Sequence, residues 1–154
     1  MQFTLNGRPV ELEVQPHETA VDVMRRLGIH GVRESCGLGA CGCCTLLVDG
    51  VALSGCLLLG PLLEGTSVVT VEGLADVERL HPVQQAFVAC SAFQCGFCTP
   101  GFVLMVERLL HENPHATDHE IGDYLAGNLC RCATYPDIVR AVRLAAERTK
   151  PAHP

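Results

Sequence analysis

Tryptophan is absent from this 154-residue sequence, and charge is scarce. Charged side chains make up 18% of the chain, against roughly 25% in ordinary globular domains. Apolar side chains reach 48%, which excludes a disordered chain. Eleven Lys and Arg face 17 Asp and Glu, for a formal charge of −6. No basic stripe is present, so the footprint of a nucleic-acid binder is missing. Long hydrophobic runs are missing too. The longest nearly apolar run, 51–63, is broken by Ser54, Gly55 and Gly60. It falls short of the roughly 18 residues a membrane span needs. The opening residues show neither the basic nor the apolar region of a secretory signal. A cytoplasmic, reducing location is therefore expected, where thiols serve as metal ligands or redox groups rather than disulfides.

What the chain does have is ten cysteines and 15 glycines. The cysteines do not scatter. Cys36, Cys41 and Cys44 follow C-x4-C-x2-C, with Cys56 downstream. This is the plant-type ligand spacing of a [2Fe–2S] cluster. Four thiolates must converge from one short segment, and Gly37, Gly39 and Gly42 permit the curl. A zinc site would more often show two C-x2–4-C knuckles. Cys43 sits beside Cys44 and is a rival ligand, although the spacing favours Cys44. The second group, Cys95, Cys98, Cys130 and Cys132, reads C-x2-C, a long gap, then C-x-C. On spacing alone, an iron–sulfur cluster and a structural zinc both stay open. Cys90 is left over and reads as a small hydrophobe on the apolar face of a helix.

The organisation changes midway, near residue 76. Alternating residues 2–5 and 8–14 flank Asn6-Gly7, a strong hairpin signal. Thr19 is placed to cap a helix over about 20–28. Thr45–Val48 and Val51–Leu53 flank Asp49-Gly50 as a second hairpin, and Thr66–Val71 reads as a further strand. This order predicts a small α+β sheet domain. Beyond it, His81-Pro82, Thr99-Pro100, the Thr117–Glu120 capping box and Tyr135-Pro136 each open an apolar-periodic stretch. Four helices are expected, with the first stretch running to about Phe93. The seven histidines are scattered and read as caps or solvated groups. Arg140, Arg143, Arg148 and Lys150 read as a solvated helix end that suits the helix dipole.

Three segments carry a family resemblance. Arg33–Gly50, Gln94–Gly101 (Gln-Cys-Gly-Phe-Cys-Thr-Pro-Gly) and Gly127–Cys132 (Gly-Asn-Leu-Cys-Arg-Cys) resemble the cluster motifs of the small iron–sulfur subunit of molybdenum hydroxylases. This is the xanthine dehydrogenase, aldehyde oxidoreductase and aerobic carbon monoxide dehydrogenase family. The resemblance covers about residues 2–147. It implies two [2Fe–2S] clusters, and so iron–sulfur rather than zinc for the second group. It implies a β-grasp, ferredoxin-like domain over 1–76 and an all-α four-helix domain over 77–154.

The implied role is an electron-transfer subunit of an oxidoreductase that does not itself bind substrate. Electrons would pass one at a time from a molybdenum–pterin site to the Cys95 group, then the Cys36 group, then flavin or another acceptor. The implied partners are two further subunits, a large one binding molybdopterin and a medium one binding FAD, in a heterotrimer that can dimerise. By the motif match, Gln94 would hydrogen-bond the pterin and Cys132 would be the ligand nearest it. A freestanding ferredoxin or redox sensor is the alternative. Two departures stand out. The family usually has a small residue such as Ala at position 43, and Thr-Gly-Tyr where this chain has Ala133-Thr134-Tyr135.

Overall fold

The computed structural model describes residues 1–76 and 78–149. The first hairpin forms from β1 (Gln2–Leu5) and β2 (Arg8–Glu11). Asn6 and Gly7 take φ of 50° and 77°, the left-handed pair that a two-residue hairpin turn requires. β2 stops at Glu11, short of the expected residue 14, and Pro16 follows soon after. Thr19 caps α1 (Ala20–Arg26): its hydroxyl accepts from the Asp22 N–H, and the Asp22 carboxylate accepts from the Thr19 N–H. Gly28, at φ 75°, ends it.

β3 (Thr45–Val48) and β4 (Val51–Ser54) pair around Asp49-Gly50. β5 (Ser67–Val69) runs parallel to β1 and antiparallel to β3, giving the order β2-β1-β5-β3-β4. The strand expected over 66–71 is thus shorter. Its end becomes a 3-10 turn, Val71–Gly73, because Thr70 and Glu72 bond outward to Asn6 and Gly31 instead of along the ladder. Phe3, Leu5, Val21, Met24, Leu46, Leu63 and Val68 form the core between sheet and α1.

Four helices follow: α2 (Pro82–Ala89), α3 (Thr99–Glu112), α4 (Asp118–Tyr124) and α5 (Tyr135–Thr149). α2 ends earlier than the expected Phe93. Cys90 caps it, and Ser91 turns left-handed at φ 49°. Cys90 accordingly lies half-buried at the edge of the helical core rather than within a helix. His81 acts as a cap, as expected of the histidines: its Nδ1 accepts the Val83 N–H at 3.4 Å. Phe87, Phe102, Val106, Ile121, Ile138 and Val142 make the helical core, and Val71 and Leu74 pack on it. The expected 76/77 boundary touches Val77, and Lys150 ends the expected basic helix end; both lie outside the described residues. Arg140 pairs with Asp137 and Arg143 with Asp118, so that end is partly ion-paired.

Candidate metal centres

Residues 29–44 form no regular element and curl between α1 and β3. Cys36 and Cys41 lie on this loop, Cys44 at the foot of β3, and Cys56 just past β4. Gly39 shows why the loop needs glycine. Its φ is 72°, and a Cβ there would stand 2.4 Å from Leu57 Cδ1. The four thiols come together as two pairs: Cys36 interacts with Cys41, and Cys44 with Cys56. The Leu38 N–H donates to Cys36 Sγ at 3.3 Å. That N–H, the Cys41 thiol and the Ala40 N–H bring the Cys36 thiol down to about 7. Cys44 behaves oppositely. Burial, and then its thiol neighbours, push it up to about 11.

The second group assembles at helix ends. Cys95 and Cys98 flank a turn in which Gly96 has φ 77°, and Cys98 is the N-cap of α3. Cys130 and Cys132 sit in the turn between α4 and α5. Here also the thiols pair, Cys95 with Cys132 and Cys98 with Cys130. The Phe97 N–H lowers the exposed Cys95 thiol, while burial pushes Cys98 up to about 12. For Cys130 burial pushes upward, but bonds from the Thr134 hydroxyl and N–H outweigh it. Thr134 Oγ1 lies 3.2 Å from Cys130 Sγ. The Cys130 N–H donates to Tyr135 Oη at 2.8 Å.

In the first centre Cys36 is lowered and Cys44 raised; in the second Cys95 and Cys130 are lowered and Cys98 is raised by burial. A buried thiolate becomes favourable when a metal cation supplies the missing positive charge. Two thiol pairs per centre are the donor set for two irons, each with two thiolates. Among the described residues, no three His, Cys, Asp or Glu side chains gather closely enough to hold a single metal ion.

The two centres stand back to back. The Leu129 N–H donates to the Cys41 carbonyl at 3.0 Å, linking a first-group cysteine to the residue before Cys130. Buried Asn128 donates from Nδ2 to the Gly42 carbonyl at 3.3 Å. Cys43 is buried in this seam, its Sγ 3.9 Å from the Cys41 carbonyl oxygen. Burial, with Cys41, Cys98 and Cys44 as neighbours, pushes its thiol up to about 12. Gln94 is exposed at the outer edge of the second centre and donates from Nε2 to the Cys132 carbonyl at 3.4 Å.

Sequence reasoning missed Arg33, Asn128 and Thr134 as parts of this arrangement. Thr134 had a signal, since it lies in the segment that departs from the family pattern. It is 2% exposed, and Ala133 beside it takes a left-handed φ of 61°.

Comparison with known proteins agrees with this geometry. Residues 3–67 match a 2Fe-2S iron-sulfur cluster binding domain, and residues 70–143 match a [2Fe-2S] binding domain. The second match resolves the choice between iron–sulfur and zinc that spacing left open. The small FeS subunit of nicotinate dehydrogenase from Eubacterium barkeri is 38% identical over 96% of this chain and 95% of its own length. The xanthine dehydrogenase iron-sulfur-binding subunit of Escherichia coli O157:H7 is 42% identical over 97% of this chain and 95% of its own. A chain of quinoline 2-oxidoreductase from Pseudomonas putida 86 superposes with a TM-score of 0.91 at 38% identity, covering 98% of this chain and 97% of that one.

Proposed function

The chain belongs to the small iron–sulfur subunits of the molybdenum hydroxylases, and from that we propose how its residues serve an electron-transfer complex. We propose that Cys36, Cys41, Cys44 and Cys56 hold one [2Fe–2S] cluster and Cys95, Cys98, Cys130 and Cys132 the other. The observation that carries this reading is that each quartet gathers in one region inside one matched [2Fe-2S] domain, the first on the loop before β3 and just past β4, the second at the start of α3 and the turn between α4 and α5. When loaded, the clusters carry electrons one at a time from a molybdenum–pterin site on a large subunit toward flavin or another acceptor.

The chain's own groups prepare that role. The Leu38 N–H and the Thr134 hydroxyl are placed to stabilise charge on Cys36 and Cys130. Burial of Cys41, Cys44, Cys56 and Cys130 shields those four side chains from water, while Cys95 stays exposed. Exposed Gln94 bonds the carbonyl of half-buried Cys132, which supports their assignment beside the pterin. The proposed domains are 1–76 and 77–154, with one quartet falling in each along the sequence.

The partners proposed are a large subunit that binds molybdopterin and a medium one that binds FAD, in a heterotrimer able to dimerise. Exposed Leu38 and Leu57 at the rim of the first centre support a covered surface there, being 76% and 62% exposed. No described helix is long and apolar enough to cross a membrane. The proposed location is the cytoplasm, where thiols stay reduced for cluster assembly.

Purification with native partners tests the whole reading. About four iron and four sulfide per chain are expected, with two distinguishable signals in the reduced protein. A molybdenum-containing large subunit should co-purify. A monomer with no such partner would sink the complex, and about two irons would sink one of the ligand sets.

A further inference from the structure

Arg33 reaches from the first-centre loop to the turn of the second. Its Nη1 donates to the Gly96 carbonyl at 2.6 Å and to the Phe97 carbonyl at 3.2 Å. Its Nε donates to the His30 carbonyl at 3.2 Å, and the guanidinium lies 5.6 Å from the centroid of the Phe97 ring. The backbone N–H of Arg33 donates to the Cys43 carbonyl at 3.2 Å, anchoring the base of the side chain between the two groups of cysteines. No carboxylate pairs with this guanidinium among the described residues, so its charge is directed at backbone carbonyls.

The peptide between Gly96 and Phe97 carries the consequence. A trans peptide points its C=O and N–H in opposite directions. Here the C=O meets Arg33, and the N–H follows Cys95 across the left-handed Gly96, the same Cys-Gly-X turn in which the Leu38 N–H donates to Cys36 Sγ across the left-handed Gly37. A cation bound at the carbonyl end polarises the amide and strengthens the hydrogen bond its N–H makes. Hydrogen bonds to ligand sulfurs help set a cluster's reduction potential, because they favour the more negative, reduced state.

We propose that Arg33 is a positioning residue that raises the reduction potential of the second cluster, acting through the Gly96–Phe97 peptide onto Cys95 Sγ. This rests on the assignment of Cys95 as a cluster ligand. It adds a device that lies outside both ligand sets: a charge on one loop tunes the cluster held by the other.

Redox titration of the holo-complex, followed by the EPR signal of each cluster, tests it on Arg33→Gln and Arg33→Lys. In R33Q the second cluster should titrate at lower potential, its reduced fraction at a fixed poise falling on the order of tenfold. The first cluster should move less, and R33K should lie between R33Q and the unaltered protein. A purely structural clamp predicts loss of iron without a shift in the potential that remains. Equal shifts in both clusters would mean a through-space charge and overturn the peptide relay, as would no shift in R33Q. If R33Q assembles only one cluster, R33K decides. A lowered second potential with an unmoved first supports the relay, and two unaltered potentials overturn it. Iron and signal counts on the unaltered complex separate the two layers. Four irons and two signals without a shift reject the relay alone, whereas a missing second signal rejects the ligand assignment beneath it.

Discussion

Gly101 packs closely against the backbone of Gly42. A Cβ on Gly101, in the first turn of α3, would stand 2.1 Å from the Gly42 carbonyl oxygen. Backbone cannot yield there as the tip of a flexible side chain can. Gly101→Ala is therefore expected to cost about 1–3 kcal/mol, read as a lower thermal midpoint of the holo-protein. Gly122→Ala is the contrast, because a Cβ there meets nothing within 4 Å on a helix. It should be neutral or stabilise by about 0.5–1 kcal/mol. Equal losses in both would refute the packing argument. Cys43 is the other residue to isolate. It is 4% exposed, and its thiol donates to the Cys41 carbonyl at 3.9 Å, facing backbone in the seam. Cys43→Ala should keep four irons per chain and both signals; loss of the first signal would transfer the ligand role from Cys44 to Cys43. The cysteine quartets were legible because their spacing within each motif is local. Asn128 and Gly101 were not legible as seam residues. Their meaning comes from Gly42, which Asn128 meets across 86 positions of sequence.

At the scale of elements, the chain declares its helix starts with capping boxes. Thr117 Oγ1 accepts the Glu120 N–H at 3.3 Å, and the Glu120 carboxylate accepts the Thr117 N–H at 2.7 Å. α4 is only seven residues long, so it depends heavily on this cap. Thr117→Ala should cost about 1 kcal/mol. Hydrogen exchange should show faster opening of α4, while iron content stays unchanged. Faster exchange in α2 instead would contradict a local capping role. Both hairpins and the starts of α1, α3, α4 and α5 were readable, because Asn-Gly, Asp-Gly, Thr and Pro act within one turn. The parallel pairing of β5 with β1 was not, since a ladder joining Thr4 to Ser67 leaves no local mark. The early end of α2 was also hidden. Apolar spacing continues through Cys90, but the left-handed Ser91 breaks the helix.

At the scale of the whole molecule, residues 70–73 strap the sheet to the helices, and Glu72 is the ionisable group in that strap. Its Oε1 accepts the N–H groups of His30 at 3.2 Å and Gly31 at 2.7 Å, and its Oε2 accepts the Thr70 hydroxyl at 2.7 Å. Asn6 bonds Thr70 from the sheet side, and Gln84 of α2 donates to the Val71 carbonyl at 2.9 Å from the helical side. Burial alone would raise the Glu72 pKa. The Thr70 hydroxyl and the N–H groups more than offset it, so the net shift is downward. A carboxyl lowered in the folded state binds protons more weakly there than in the unfolded chain. It therefore stabilises the fold above the unfolded pKa and loses that contribution as pH falls through the folded one. Glu72→Gln keeps the shape and removes the titration. The variant should be less stable than the unaltered protein at pH 7. The difference should shrink as pH falls through and below the ordinary carboxylate range. Paired denaturant titrations of the two holo-proteins at each pH check this, because acid lability of the clusters is common to both and cancels in the difference. A difference that stays constant with pH would show that Glu72 braces the strap through shape alone, with its charge contributing nothing to the join between the two cluster-bearing halves.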